Sequence, residues 1–447
     1  MTHPLALVRA LQGHSQRTYA QLVADTHLAM GFGHMSTHRT KVAGWETAGI
    51  TPSRDTQAAM AHIHGVAWQE VVCLGWPEWL RLVIGNTAWL QQPWTHAGAV
   101  AAMREAESTP EHADHASLLL GARTLPVFTE QWGAATARTP HLPEFLGGRI
   151  TPEIADLIAL NIDVTQQLLW TIDPAALYHT ARGDLLLISS LLSENSYSRQ
   201  TAKRLHLLAA CAAGLCAGLS LSLGEGARAE RHFLVAARSA AAAGHCEASA
   251  ACLLGLAYTH LTWGTPDHAL SLLDAAITGG QRPWKQFTTV WYLLKARAHA
   301  RIGDASDSAR YLDLSRAAVA SRPDPEDPPL LLFLNAVEER WVDACEGIAS
   351  LHLNRPKQAM RYFTPLLDDE DFAWISPAAP FHLLYAADAQ LATAEVEAAV
   401  HTAHRATTLY ASTSARLALQ CRSRFAPYRK VLAVKSFLEF LAEREVS

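Results

Sequence analysis

The sequence lacks an HExxH pair, a glycine-rich phosphate loop, a GxSxG elbow and a dinucleotide-binding glycine fingerprint. The common metallohydrolase, nucleotide-binding and serine-hydrolase chemistries therefore have no visible carrier, and no catalytic activity is expected. It also lacks a CxxC pair: Cys73, Cys211, Cys216, Cys246, Cys252, Cys345 and Cys421 are odd in number and scattered. That spacing excludes ribbon-type zinc sites and a disulfide framework, and the thiols read as reduced, buried small hydrophobes in a cytoplasmic protein. Charge is scarce too, with 18% charged residues and a net charge of −5. Bulk charge thus excludes a general polyanion binder, so any nucleic-acid contact has to come from a local patch. Val, Ile, Tyr and Phe are sparse, which disfavours strands, and residues 1–10 carry no basic-then-apolar signal pattern.

What is present is apolar and rich in Ala and Leu, with 49% hydrophobic residues in 447, enough for large helical cores. One stretch, residues 205–223, holds no Asp, Glu, Lys or Arg. Its Ala, Gly and Cys content supplies little transfer energy, so a buried helix is favoured over a membrane span and no membrane partner is expected. The fold class predicted is all-α, in three parts: 1–66, a Trp-rich connector 67–150, and a helical body 151–447.

In the first part, apolar spacing marks helices around Leu5, Val8 and Leu11, around Tyr19, Leu22 and Val23, over 37–45, and over 54–64. Ser53, with Thr56 three residues on, reads as a helix cap. On the third helix Val42 and Trp45 are three apart and must face the core. Thr37, Thr40 and Gly44 then point the opposite way, flanked by Arg39 and Lys41. A face of small residues between two cations suits the major groove. Arg17, ahead of the second helix, and Arg54, opening the fourth, are the expected phosphate contacts. Arg9, Arg17, Arg39, Lys41 and Arg54 against Asp25, Glu46 and Asp55 give this part a net +2. Its histidines, His27 and His64 among them, read as solvated. Trp68, Trp76, Trp79, Trp89 and Trp94 imply that the connector docks, either within the chain or across a dimer. Residues 101–150, with Pro110, Pro126, Pro140 and Pro143, read as short helices and loops.

A repeat emerges in the body. Gly224, Gly264, Gly303, Asn354 and Thr393 each open a polar turn that reaches Ala229, Ala269, Ala309, Ala359 and Ala398 five or six residues later. The early alanine lets a second helix pack closely on a first, and such pairs must stack to bury their apolar faces. The first helices expected are 246–263, 284–302, 330–353 and 381–392, with a rigid Pro-rich loop at 322–329 and a last pair near 412–424 and 428–443. Stacked pairs line a groove with their first helices, drawing on Tyr258, Trp263, Trp291, Tyr292, Lys295, Arg297 and His299. Aromatics beside cations suit a peptide or an aromatic or anionic small molecule; the competing reading is inter-repeat core. Because Lys295 shares a face with Trp291, that face is expected to be incompletely buried. His401 and His404 share a helical face but find no third ligand, so neither metal nor cofactor is expected. Eight bases after residue 404, Arg405 to Arg444 in sequence, face three acids, Glu439, Glu443 and Glu445; they read as the polar face of a capping pair, or as a dock for an anionic ligand or acidic partner.

Two resemblances give these patterns a meaning. The run from Val42 through Gly44, Trp45, Glu46, Gly49, Pro52 and Ser53, continued by Gln57, Ala58, Met60 and Ala61 and closed by His64, Gly65 and Val66, resembles Xre/Cro-type helix-turn-helix proteins. The segment between Val23 and Thr37 is longer than that family's turn. Residues 204–410 resemble tetratricopeptide-repeat proteins, at a period nearer 40 than that family's 34. The two together, with the element from Leu74 through Gly75, Trp76, Pro77 and Trp79 to Leu80, resemble actinomycete-type regulators of antibiotic production and development. What this implies is an N-terminal helix-turn-helix domain on an α-solenoid of TPR-like pairs. Such a protein binds double-stranded DNA as a homodimer and senses a peptide, small-molecule or protein effector through the body. The alternative is a scaffold of the same fold without DNA binding.

Overall fold

The computed structural model describes residues 3–47, 50–66, 68–80, 83, 89–108, 118–122, 124–142, 150–194, 196–277, 287–320, 339–368, 379–409 and 415–444. Gly49, Pro110, Pro143, the Pro-rich segment 322–329, residues 284 and 330–338, and Glu445 lie outside them, as does the side chain of Cys73. Among the described residues all regular structure is helical, with one isolated bridge between Ile150 and Tyr197. The chain divides into two compact units, residues 1–93 with 108–128, and residues 94–107 with 129–447.

The first unit opens with α1 (Pro4–Leu11), α2 (Gln16–Ala29), α3 (Arg39–Trp45), α4 (Arg54–His64) and α5 (Trp68–Leu74). Serine side chains cap the starts of α2 and α4. Ser15 Oγ accepts from Thr18 N at 3.1 Å, and Ser53 Oγ accepts from Thr56 N at 3.3 Å, each satisfying an otherwise orphan donor. One core gathers Leu5, Val8, Tyr19, Val23, Val42, Trp45, Ala59 and Met60. Trp79, Leu80 and Val83 enter the same core, with Trp68 and Trp76 packed against it. The tryptophans at 68–79 therefore bury within the chain. Two histidines depart from the solvated expectation. His27 is buried, with Nδ1 2.9 Å from Gly33 O. His64 lies 2.7 Å from the Tyr19 hydroxyl and 3.1 Å from Gln12 Nε2.

The second unit contains α6 (His96–Ser108), most of α7 (Thr124–Thr136), α8 (Pro152–Gln167), α9 (Pro174–Glu194) and then a series of antiparallel neighbours. These are α10 (Arg199–Ser222) with α11 (Gly226–Ala242), α12 (Cys246–Trp263) with α13 (Pro266–Ala275), and α14 (Thr288–Arg301) with α15 (Ala305–Ala320). They continue as α16 (Glu339–His352) with α17 (Pro356–Leu367), α18 (Ala379–Ala392) with α19 (Val396–Thr408), and α20 (Ala415–Phe425) with α21 (Leu432–Arg444). Within each pair the helices pack together, and the first members also touch in sequence: α10 to α12, α12 to α14, α14 to α16, α16 to α18, α18 to α20. Contact is close because glycines seat aromatic rings. A Cβ on Gly255 would lie 2.3 Å from Phe233, and one on Gly347 2.7 Å from Phe363. An added methyl at either position overpacks the interface, which typically costs about 1–3 kcal/mol.

The turns share one geometry. At Gly224, Gly303, Asn354 and Ala394 the backbone is left-handed. The following amide then bonds back to the carbonyl five residues earlier, as in Glu225 N to Ser220 O and Glu395 N to Gln390 O, both near 2.9 Å. This closes the orphan carbonyls of the preceding helix. The left-handed residue between α18 and α19 is Ala394, one beyond Thr393, and Gly264 is not left-handed, at φ −119°.

Helix α10 is long and apolar enough to cross a membrane by length and composition, and 89% of its apolar window is buried within the unit. Its serines turn inward onto the helix: Ser220 Oγ donates to Cys216 O at 2.7 Å. The described cysteines are free thiols. Burial pushes Cys211, Cys216 and Cys421 up to about 12, so these sulfurs behave as inert hydrophobes at neutral pH.

Candidate nucleic-acid interface

Helix α3 is held from one side. Val42 and Trp45 are buried in the core, while Thr40, Arg39 and Lys41 are exposed. Thr37 is exposed as well, but it precedes the helix, whose N-cap is His38. Gly44 is not on the open face: a Cβ there would lie 3.0 Å from Ile50 Cδ1, so the glycine is half-covered.

The cations of this unit divide in two. Arg9 is committed internally, with Nε donating to Glu46 Oε1 at 2.8 Å and Nη1 to His14 O at 2.7 Å. Gln16 Nε2 donates to the other Glu46 oxygen at 2.6 Å. Arg17, Arg39 and Lys41 are exposed and make no ion pair among the described residues, and Arg54 lies over the Trp68 ring at 5.3 Å. With Arg9 and Glu46 cancelling, the exposed surface of residues 1–66 carries Arg17, Arg39, Lys41 and Arg54 against Asp25 and Asp55. The segment 30–38 between α2 and α3 runs past the length of a tight turn and is anchored by Met35, whose sulfur accepts from Thr56 Oγ1 at 3.8 Å.

Of the seven residues expected to line a ligand groove, Tyr258 and Trp263 stand on α12, and Trp291, Tyr292, Lys295, Arg297 and His299 are split between two faces of α14. On one face, Trp291 Nε1 donates to Leu273 O at 2.9 Å and its ring meets Tyr292 and Tyr311 edge-on. Lys295 sits over Trp291 at 5.6 Å and pairs with Asp274. His299 stacks on Tyr311 at 5.4 Å, and its Nδ1 lies 3.2 Å from Asp304. These are contacts to α13 and α15. Lys295 is only 5% exposed, so a cation in the Trp291 stripe does not mark an open face here; pairing with a carboxylate lets it be buried.

On the other face, Arg297 is 1% exposed. Its guanidinium lies 5.2 Å from the ring centre of Tyr258 on α12 and 5.9 Å from that of Tyr385 on α18. Cys345 and His352 of α16 and His382 of α18 are its electrostatic neighbours. Burial pushes the Tyr258 phenol up to about 12 and holds the imidazoles of His352 and His382 down to about 4 and about 3. Sequence reasoning found Arg297 and Tyr258 but missed Tyr385, His352 and His382. Their only signal is membership of first helices two pairs along the chain.

Two further groups resolve simply. His299, Asp304 and Asp307 offer ligand atoms within 4.8 Å of one another, but Asp304 Oδ1 accepts from Asp307 N at 3.0 Å and so serves as the cap of α15. His404 packs on Phe440 at 4.6 Å. In the basic C-terminal segment, Arg424 pairs with Asp388 at 2.9 Å and Arg405 donates to Leu367 O at 2.7 Å. No known family model matches the chain, and no curated protein or solved structure is significantly similar to it.

Proposed function

We propose that this chain is a cytoplasmic DNA-binding transcriptional regulator, with a helix-turn-helix domain in the first unit and a TPR-like repeat array in the second that binds an effector. The observation that carries the reading is the set of exposed, unpaired cations Arg17, Arg39 and Lys41 around a short helix whose opposite side is anchored by Val42 and Trp45. A rigidly held helix with an open, cationic face has the build of a major-groove reader. Thr40 and Lys41 are its candidate base contacts and Arg17, Arg39 and Arg54 its candidate phosphate contacts. Gly44 has room only for close backbone approach.

Pairing of two copies on a pseudo-palindromic site fits a second observation. On α8, Leu157 and Leu160 are 68% and 61% exposed, and Val164 and Leu168 continue the same stripe. The opposite face of α8 buries Ala155, Ile158 and Ile162. An apolar stripe on the outer side of a helix suits a symmetric contact between copies.

The test is binding to DNA fragments selected from a random pool, measured at two salt concentrations. Sequence-selective enrichment, with affinity falling as salt rises, is expected. Equal affinity for all fragments, or none, would leave the scaffold alternative in its place.

A further inference from the structure

Several partly or largely buried cations of the second unit have carboxylate partners. Arg424 takes both oxygens of Asp388 at 2.9 and 3.1 Å, Arg316 takes Asp343 and Glu346, and Lys295 takes Asp274. Arg297, only 1% exposed, has none among the described residues. Nε, Nη1 and Nη2 are all buried and without a hydrogen-bond partner. Beside it, His382 is fully buried with both ring nitrogens unpartnered. A buried guanidinium with no acceptor is among the least favourable arrangements in a protein interior, because neither water nor an anion replaces its hydration. Two tyrosine faces offset part of this, but beyond the Tyr258 hydroxyl close to the fork they offer little to five N–H donors.

These groups come from the first helices of successive pairs: Tyr258 on α12, Arg297 on α14, His352 on α16, and His382 and Tyr385 on α18. Tyr385 and His352 are partly exposed and meet edge-on at 5.7 Å, so the cluster has a solvent side that they form. We propose that this cluster is a binding site for a small oxyanion, a carboxylate or a phosphate group, held by the Arg297 fork, with His382 and the tyrosine hydroxyls supplying further hydrogen bonds. The planar guanidinium matches two oxygens of either group. The neutral imidazole offers an N–H donor. This deepens, and rests on, the reading of the second unit as the effector-binding half.

The test is calorimetric titration of the full chain, in chloride-free zwitterionic buffer, with inorganic phosphate and separately with acetate. A saturable heat is expected with one of them, together with a rise in melting temperature of about 5 °C at a hundredfold excess over Kd. Which probe saturates names the source of the oxyanion. Arg297→Met should abolish the heat and the shift, while Lys295→Met, on the other face of α14, should keep both. If Arg297→Met does not fold, His382→Phe serves in its place and should weaken binding at least about tenfold. No saturable heat with either probe on the native chain, or unaltered binding by Arg297→Met or His382→Phe, overturns the proposal. DNA binding measured on the same samples separates the two readings, since it can survive the loss of this site or fail while the site titrates normally.

Discussion

Arg9 donates through Nε to Glu46 Oε1 at 2.8 Å, and that bond ties α1 to the residue that closes α3. Gln16 at the start of α2 holds the second oxygen of the same carboxylate, so one side chain sets three helices. Both charged groups are largely buried, with side-chain exposures of 19% and 11%. Glu46→Ala leaves Arg9 half-buried without its partner and should destabilise the first unit by about 2–3 kcal/mol. Denaturant unfolding followed by tryptophan fluorescence checks this; a loss under about 0.5 kcal/mol would mean that the pair is incidental.

The proposed DNA face lies on α3. Arg39→Ala with Lys41→Ala removes two exposed, unpaired cations from α3 without touching Val42 or Trp45. Operator affinity should fall by about 2–4 kcal/mol, and the slope of log affinity against log salt should drop by about 2. Thermal stability should stay within about 0.5 kcal/mol of the parent. Parental affinity in the double variant would move the DNA face elsewhere.

Leu157→Asp with Leu160→Asp tests the pairing surface. Both side chains stand well out of the α8 packing, so folding should be unaffected. Light scattering should show a dimer for the parent and a monomer for the variant, and the variant should lose affinity for a two-half-site operator more than for one half-site. A monomeric parent, free and on DNA, ends this idea.

Buried neutral imidazoles set a pH dependence. His206 and His232 are held down to about 3 by burial, as is His382. Unfolded, each takes up a proton near pH 6.5; folded, each stays neutral until about pH 3. Stability is therefore full above about pH 6.5 and falls as pH drops through that window, by about 1.4 kcal/mol per unit for each fully buried group. Asp184, whose carboxyl is raised by burial, acts in the opposite sense as pH falls. Melting temperatures between about pH 7.5 and pH 5 should fall steeply, and less so in His206→Gln with His232→Gln. A flat profile would mean that these imidazoles are not buried.

Ala394 stands in the left-handed region at φ +65° where the other turns use Gly224, Gly303 or Asn354. An L side chain there is strained by roughly 1 kcal/mol. Ala394→Gly should therefore stabilise the chain by about 0.5–1 kcal/mol, a reversal of the usual cost of glycine. Destabilisation in denaturant titration would show that the strain is not felt.

Helical content and the positions of the pairs were readable because apolar period and turn residues are local signals: 246–263 and 54–64 emerge with the bounds the structure has. The α14 face was not readable. Trp291, Lys295 and Arg297 look alike as aromatics and cations on one helix. Whether a cation is buried depends on partners far away in sequence, Asp274 for Lys295 and Tyr385 for Arg297. Thr37 failed for a smaller reason, since helix starts are set by cap geometry at His38. Gly264 and Thr393 match the turn pattern by composition, while the backbone places its left-handed residue differently at each. His27 and His64 were misread because polar residues in a small bundle were assigned to solvent when the core needed their hydrogen bonds.

Helix α18 reaches back to the first pair. Phe381 meets Trp263 edge-on at 5.6 Å and lies against Gly224, where an added Cβ would come within 2.8 Å of its ring, and α18 also touches α10. An array whose pairs met only their neighbours would stretch like a spring, each interface yielding in turn under load. Here the first and fourth first-helix neighbours after α10 are stitched across the coil, so the unit answers force as a braced frame. Under pulling from its ends it should give one large rupture in place of a ladder of small ones, and strain entering at one pair is shared by pairs distant in sequence.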